Sequence, residues 1–415
     1  MSGPDRGPTP ASVDADPGEV GMSADRLARI DRHFSGYVED GRLAGWQVAV
    51  SRHGRVVHHS TCGLRDVEAA IPWSPDTVAR LYSMTKPVTS VAAMMLHEEG
   101  RLALTDPVHR YLPKYRTCRI FRTGSTAFPQ TTSVGEPMRI RHLFTHTSGL
   151  TYGWHHRHVT DALYRQAGYE LGVPDGVDLA TACQHWAALP LVAQPGTQWN
   201  YGVSTDVLGR VVEVISGQPL DEFVTERILQ PLGMHDTAYH VAGRTDRVAR
   251  LYQPSLGGGA LQRSPQEVYP TERPSFVGGG SGLWGTAADY LRFCHMLLGR
   301  GALGGTRILG SRTVDLMTSN HLPGGADMED MQRPEFADGS SRGEGMGLGV
   351  SVMLDPIANG APSSVGEFAW GGAASTVFWC DPVEDLAVVF LTQLLLGAHP
   401  IRHELKRTVY QALVD

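Results

Sequence analysis

Lysine is nearly missing from this sequence: of its 36 basic residues only Lys86, Lys114 and Lys406 are lysines, and the rest are arginine. Arginine can take over most surface duties of lysine, but it keeps its proton and so cannot act as a base. A lysine at a patterned position is therefore a candidate for chemistry. Long apolar runs are missing too. Nothing approaches the ~18 residues of a membrane span, and residues 1–21, rich in Pro, Gly, Asp and Ser, lack the apolar centre of a signal peptide. No basic run offsets the net charge of -7, which argues against nucleic acid and membrane surfaces as partners. The five cysteines (Cys62, Cys118, Cys183, Cys294, Cys380) show no CxxC and no paired spacing. They read as buried free thiols in a reducing compartment, so a cytoplasmic location is expected. No metal and no cofactor are indicated, and nothing here sets an oligomeric state.

What is present is a globular balance, 41% hydrophobic and 19% charged over 415 residues, enough for one large or two closely packed domains. Residues 1–21 read as a flexible tail. A helical pattern from Ser23 puts Leu27, Ile30 and Phe34 on one face, and strands over 47–52 and 55–61 flank a His53-Gly54 turn. Val88, Val91, Ala92, Met95 and Leu96 mark a buried helix stopped by Gly100, with Pro87 distorting its start. Stretches 119–137 and 251–282 read as long loops walling a site. Strands return at 346–354, 375–380 and 386–392, and a helix over 400–414 closes the chain. The expected fold is α/β (α+β): an antiparallel sheet flanked by N- and C-terminal helices, formed by 22–82 and 300–415. A mostly helical domain, 83–299, interrupts it, with the active site at the interface.

The chemistry centres on Ser83-Met84-Thr85-Lys86. On a helix, residues i and i+3 share a face one turn apart, and a desolvated amine can take the proton that makes a serine hydroxyl nucleophilic. A serine capping a helix would give the same spacing. Two other segments shift the balance. Tyr201, in a loop just before the helix that begins near Asp206, can relay protons beside a cation. Trp370-Gly371-Gly372-Ala373 leads into a strand, and paired glycines let backbone N–H groups approach a ligand.

The order and context of these segments resemble the serine β-lactamase and penicillin-binding-protein superfamily, and most closely its class C-like branch of family VIII carboxylesterases and related transesterases. Supporting stretches are Tyr82-Ser83-Met84-Thr85-Lys86, Leu143-Phe144-Thr145-His146-Thr147-Ser148-Gly149-Leu150 and Gly278-Gly279-Gly280-Ser281-Gly282-Leu283, together with the Trp-Gly-Gly segment. The resemblance implies a β-lactamase/transpeptidase-like fold, Ser83 as nucleophile, Lys86 as its base partner and Tyr201 as proton shuttle. It further implies an oxyanion hole from the amides of Ser83 and Ala373, with Trp370, Gly371, Gly372, Tyr152 and Val203 at the substrate. Two departures carry information. Tyr201-Gly202-Val203 stands where β-lactamases have Tyr-x-Asn, and Trp370-Gly371-Gly372 stands where they have Lys-Thr-Gly. A substrate-binding amide and a carboxylate-binding cation are both lost, and an apolar wall replaces them.

The expected activity is hydrolysis of small carboxylic esters through an acyl-enzyme. Transfer of the acyl group to an alcohol or amine is the alternative, ahead of β-lactamase or D,D-peptidase chemistry or a silent binding protein. Three other motifs are set aside. Gly339-Ser340-Ser341-Arg342-Gly343 matches a nucleophile elbow but no helix follows. Gly280-x-Gly282-x-x-Gly285 lacks the frame of a dinucleotide site and reads as a turn into a helix capped by Thr286. His155-His156-Arg157-His158 has no further spaced ligand and reads as a loop.

Overall fold

The computed structural model describes residues 12–255, 261–332 and 341–414. Ser23 caps the first helix, α1 (Ala24–Glu39), by accepting from the Arg26 amide, and Leu27, Ile30 and Phe34 line its buried face. β1 (Gly45–Arg52) and β2 (Arg55–Asp66) follow, joined by His53 and Gly54 at φ 53° and 70°, the pair of left-handed residues that a tight type I′ turn requires. A short β3 (Ile71–Pro72) pairs with the end of β2. After the middle of the chain come β4 (Glu344–Met346), β5 (Ser351–Met353), β6 (Phe368–Gly372), β7 (Thr376–Asp381) and β8 (Leu386–Thr392). Together they form one antiparallel sheet of eight strands in the order β4-β5-β6-β7-β8-β1-β2-β3. Its central pairing joins the two ends of the sequence, with Trp46 opposite Thr392 and Val48 opposite Phe390.

Alternation along the strands divides the core. Val48, Val50, Val377, Trp379, Val388 and Phe390 face α1 and the last helix, Ile401–Tyr410. Ala49, Phe378, Val389 and Leu391 face the middle of the chain, where α2 (Thr85–Glu98) lies almost wholly buried. Pro87 sits in the first turn of α2, where its missing N–H is tolerated, and a 3-10 turn at Tyr82–Met84 runs directly into the helix. α3 (Ser204–Ser216) packs on α2, and α4 (Ala287–Leu298) packs against the sheet. None of the described helices is long and apolar enough to cross a membrane, and all five cysteines are free.

The structure corrects several expectations. Residues 12–21 are not a loose tail: Pro17–Val20 form a 3-10 turn capped by Asp16, Val20 is buried, and Arg52 donates to the carbonyls of Val20 and Gly21 at 2.8 and 3.0 Å. Residues 1–11 lie outside the described set. α4, expected within the helical part, belongs by its contacts to the sheet. The stretch 119–137 is not an irregular wall but a hairpin, Arg119–Gly124 with Pro129–Ser133. The strand expected over 346–354 is broken by a turn at 347–350, where Gly349 takes φ 94° and crowds Ser90 of α2.

Candidate active site

Ser83 lies in the 3-10 turn ahead of α2, behind Tyr82, whose φ of 47° is costly for a non-glycine residue. Tyr290 of α4 fixes that turn by donating its hydroxyl to the Met84 carbonyl at 2.8 Å. One turn on, Lys86 is 1% exposed, and its Nζ donates to Ser83 Oγ at 3.0 Å and to the Gly280 carbonyl at 2.8 Å. Tyr201 donates its hydroxyl to Ser83 Oγ at 2.7 Å, and Lys86 Nζ sits 4.8 Å from the centre of its ring. Tyr201 is held by its neighbours: the Asn200 side-chain amide donates to the Leu150 carbonyl at 2.9 Å, and any side chain at Gly202 would collide with that carbonyl. The three residues picked from the sequence thus meet at one oxygen.

The remaining expected residues gather unevenly. β6 ends against the Ser83 turn so closely that a side chain on Gly372 would strike the Leu81 carbonyl. Ala373, itself exposed, follows in the turn to β7, with Gly371 and Gly372 as the last residues of β6. Trp370 stands 5.8 Å from the Tyr201 ring, and Tyr152 lies 5.4 Å from it on an edge contact. Burial raises the Tyr152 hydroxyl well above the ordinary tyrosine range, which keeps it protonated. Val203, expected on the pocket wall, is instead 5% exposed in the apolar core where α3 begins.

Two residues that sequence reasoning left without a role complete the setting. Asp206, in the first turn of α3, is buried and accepts the Gly280 amide at 2.8 Å, so it holds the backbone N–H of the residue whose carbonyl accepts from Lys86. Burial pushes its carboxyl up, and the nearby Lys86 ammonium partly opposes this. The glycines at 278–280 are what permit the approach: a Cβ on Gly280 would lie 2.7 Å from Asp206 Oδ2, and one on Gly279 would lie 2.6 Å from the Thr205 carbonyl. Gly279 and Gly280 therefore serve close packing against α3, and the run at 280–285 turns the chain into α4, which Thr286 caps. The other is His146, fully buried at φ 53°, whose ring lies 4.7 Å from that of Tyr201 and parallel to that of Trp370 at 6.4 Å. Burial, reinforced by the Lys86 charge, drives its pKa well below the usual range, so it is neutral. The only signal for His146 was its place in the Thr-His-Thr-Ser-Gly segment.

The set-aside motifs have local duties. His158 accepts the Thr160 amide at the start of the helix Val159–Gln166, and His156 pairs with Glu170 at 3.4 Å. No group of three or more metal-binding side chains occurs among the described residues. Ser341 accepts the Glu344 amide through its carbonyl and leads into β4 rather than a helix. Gly339 and Ser340 of that motif lie outside the described residues.

A serine hydroxyl bonded at once to a buried amine and a phenol, where the end of an inner strand meets the turn into α2, defines an enzyme of the serine hydrolase type. The chain belongs to the Beta-lactamase family, whose model matches residues 30–411. It is 32% identical to Esterase EstB of Burkholderia gladioli over 413 residues, 93% of each chain. Among solved structures it resembles EstCE1, described as a hydrolase with promiscuous acyltransferase activity, with TM-score 0.77 and 27% identity over 93% of this chain and 99% of that one. It also resembles unliganded selenomethionyl simvastatin synthase (LovD) of Aspergillus terreus, with TM-score 0.79 and 26% identity over 94% of this chain and 98% of that one.

Proposed function

We propose that this protein cleaves small carboxylic esters through an acyl-enzyme on Ser83. The observation that carries the reading is the convergence of Lys86 Nζ and Tyr201 OH on Ser83 Oγ, at 3.0 and 2.7 Å. Ser83 Oγ attacks the ester carbonyl carbon as its proton passes to whichever of Lys86 and Tyr201 is unprotonated. The carbonyl π electrons move to oxygen, and the amides of Ser83 and Ala373 donate to that oxyanion. Collapse breaks the bond to the alcohol, which leaves with the proton that the base had taken. Water then repeats the sequence on the acyl-enzyme and releases the acid. Lys86 Nζ lies 4.8 Å from the centre of the Tyr201 ring, and the His146 ring beside it is neutral and adds no cation. The name of EstB supports an ester substrate, and Trp370 offers an apolar wall where a β-lactam carboxylate would need a cation.

The second reading, acyl transfer to an alcohol or amine, is favoured by the resemblance to simvastatin synthase and to EstCE1. It shares the first half-reaction and differs only in the acceptor.

Exposure to a panel of p-nitrophenyl esters, followed by intact-mass measurement, should show an acyl adduct on the wild type. Ser83→Ala should form none and should lose about 10⁴-fold or more in kcat/KM. Near-normal hydrolysis by Ser83→Ala, with loss in Ser341→Ala, would overturn the assignment. Adding a candidate alcohol and measuring the ratio of acid to new ester separates hydrolysis from transfer.

A further inference from the structure

Trp154 is exposed, yet the fold holds it still. The residue is 44% exposed. Tyr152 stacks on its indole at 5.4 Å and 21°, and the His155 ring meets it edge-on at 4.3 Å. The 3-10 turn that carries it, Gly153–His155, is anchored from beneath. Gly153 presses on the Tyr169 carbonyl so closely that any side chain there would collide, and Arg165 donates to the Gly153 carbonyl. Asp161, 2% exposed, accepts from the Thr151 hydroxyl at 2.8 Å and from the amides of Arg157 and His158 at 3.0 and 2.9 Å. A large apolar ring left in water on a fixed mount is a preformed stacking surface, because little side-chain freedom remains to be lost on binding.

The ring is also connected to the site. Trp154 stacks on Tyr152, Tyr152 contacts Tyr201 at 5.4 Å, and the Tyr201 hydroxyl touches Ser83 Oγ. These rings form a ladder from solvent to the reacting oxygen. We propose that Trp154 is a specificity-determining residue, the outer platform on which the flat aromatic part of an ester substrate stacks while its carbonyl lies at Ser83. The proposal rests on the acyl-enzyme reading above for the position of the carbonyl, but not for the stacking itself.

The test compares ethyl acetate, ethyl 2-naphthoate and 2-naphthyl acetate, which carry no ring, a ring in the acyl part and a ring in the alcohol part. The ratio of kcat/KM for at least one naphthyl ester to that for ethyl acetate should fall about 3- to 10-fold in Trp154→Ala, mainly through KM. It should stay within about twofold of wild type in Trp154→Phe, which keeps a ring. Unchanged ratios for both naphthyl esters in Trp154→Ala, or an equal fall in Trp154→Phe, would overturn the proposal. Calorimetric binding of 2-naphthoate to Ser83→Ala, with and without Trp154→Ala, needs no turnover. A Kd about 3- to 10-fold weaker in the double variant supports stacking, and an unchanged or undetectable Kd overturns it. A wild type that cleaves none of the three esters yet shows this Kd difference would sink the ester reading and leave the platform standing.

Discussion

Gly372 has no room for a methyl group. Its Cα passes so near the Leu81 carbonyl and the Thr376 hydroxyl that a Cβ would force β6 away from the turn bearing Ser83. The two amides proposed to hold the oxyanion stand on either side of that contact. Gly372→Ala should therefore lower kcat about 10²- to 10³-fold, as loss of one oxyanion donor does, with KM changed much less. Steady-state kinetics on a p-nitrophenyl ester checks this, and a kcat within threefold of wild type would count against it. Ser83 and Lys86 were legible in the sequence because one helical turn fixes their relation. Asp206 and His146 were not, because their partners come from afar: Asp206 meets the Gly280 amide across 74 positions, and the His146 ring receives the Gly202 amide across 56. No local pattern encodes such a meeting.

At the scale of elements, the start of α4 shows a capping pattern with a buried charge in it. Thr286 accepts the Asp289 amide at 3.2 Å, as the sequence indicated. The Asp289 carboxylate in turn accepts from the Asp236 amide and the Thr237 hydroxyl, both at 2.8 Å, which the sequence did not disclose. Burial outweighs these bonds and raises the Asp289 pKa to about 6. The folded protein thus keeps a proton that the unfolded chain releases near pH 4, so stability is fully present below about pH 4 and falls as pH rises towards 6. Asp289→Asn retains an acceptor oxygen and removes the charge. Its unfolding free energy relative to wild type should climb by about 2 to 3 kcal/mol between pH 4 and pH 7. Urea unfolding at each pH measures this, and a flat difference would refute it. The hairpin Arg119–Gly124 and Pro129–Ser133 escaped reading because Gly124 and Pro129 look like loop punctuation when they in fact flank a turn. The apparent strand over 346–354 failed for the opposite reason: its apolar residues continue through a glycine bend.

Across the whole molecule, the last helix is tied to the sheet by a buried ion pair. Lys406 Nζ lies 2.6 Å from Glu367 Oε1, each side chain 1% exposed, and Tyr410 also donates to Glu367 at 2.8 Å. Burial pushes both partners towards their neutral forms, lowering the lysine and raising the glutamate. Removing one partner strands the other. Lys406→Met should cost about 3 to 5 kcal/mol, seen as a lower urea midpoint, and adding Glu367→Gln should recover much of it. A midpoint unchanged in Lys406→Met would contradict this. The broad plan, strands at both ends with helices between, was readable because alternating and helical periodicities differ; the strand order was not, since it depends on pairings between distant segments. The pairing of β1 with β8 has a temporal consequence. Thr392 bonds to the Gly45 carbonyl across 347 positions of sequence. On a ribosome adding ~5–20 residues per second, one edge of β1 waits roughly 20 to 70 seconds for its partner. The sheet cannot close until β8 has been made, and until then an apolar strand lies open to whatever a nascent chain meets.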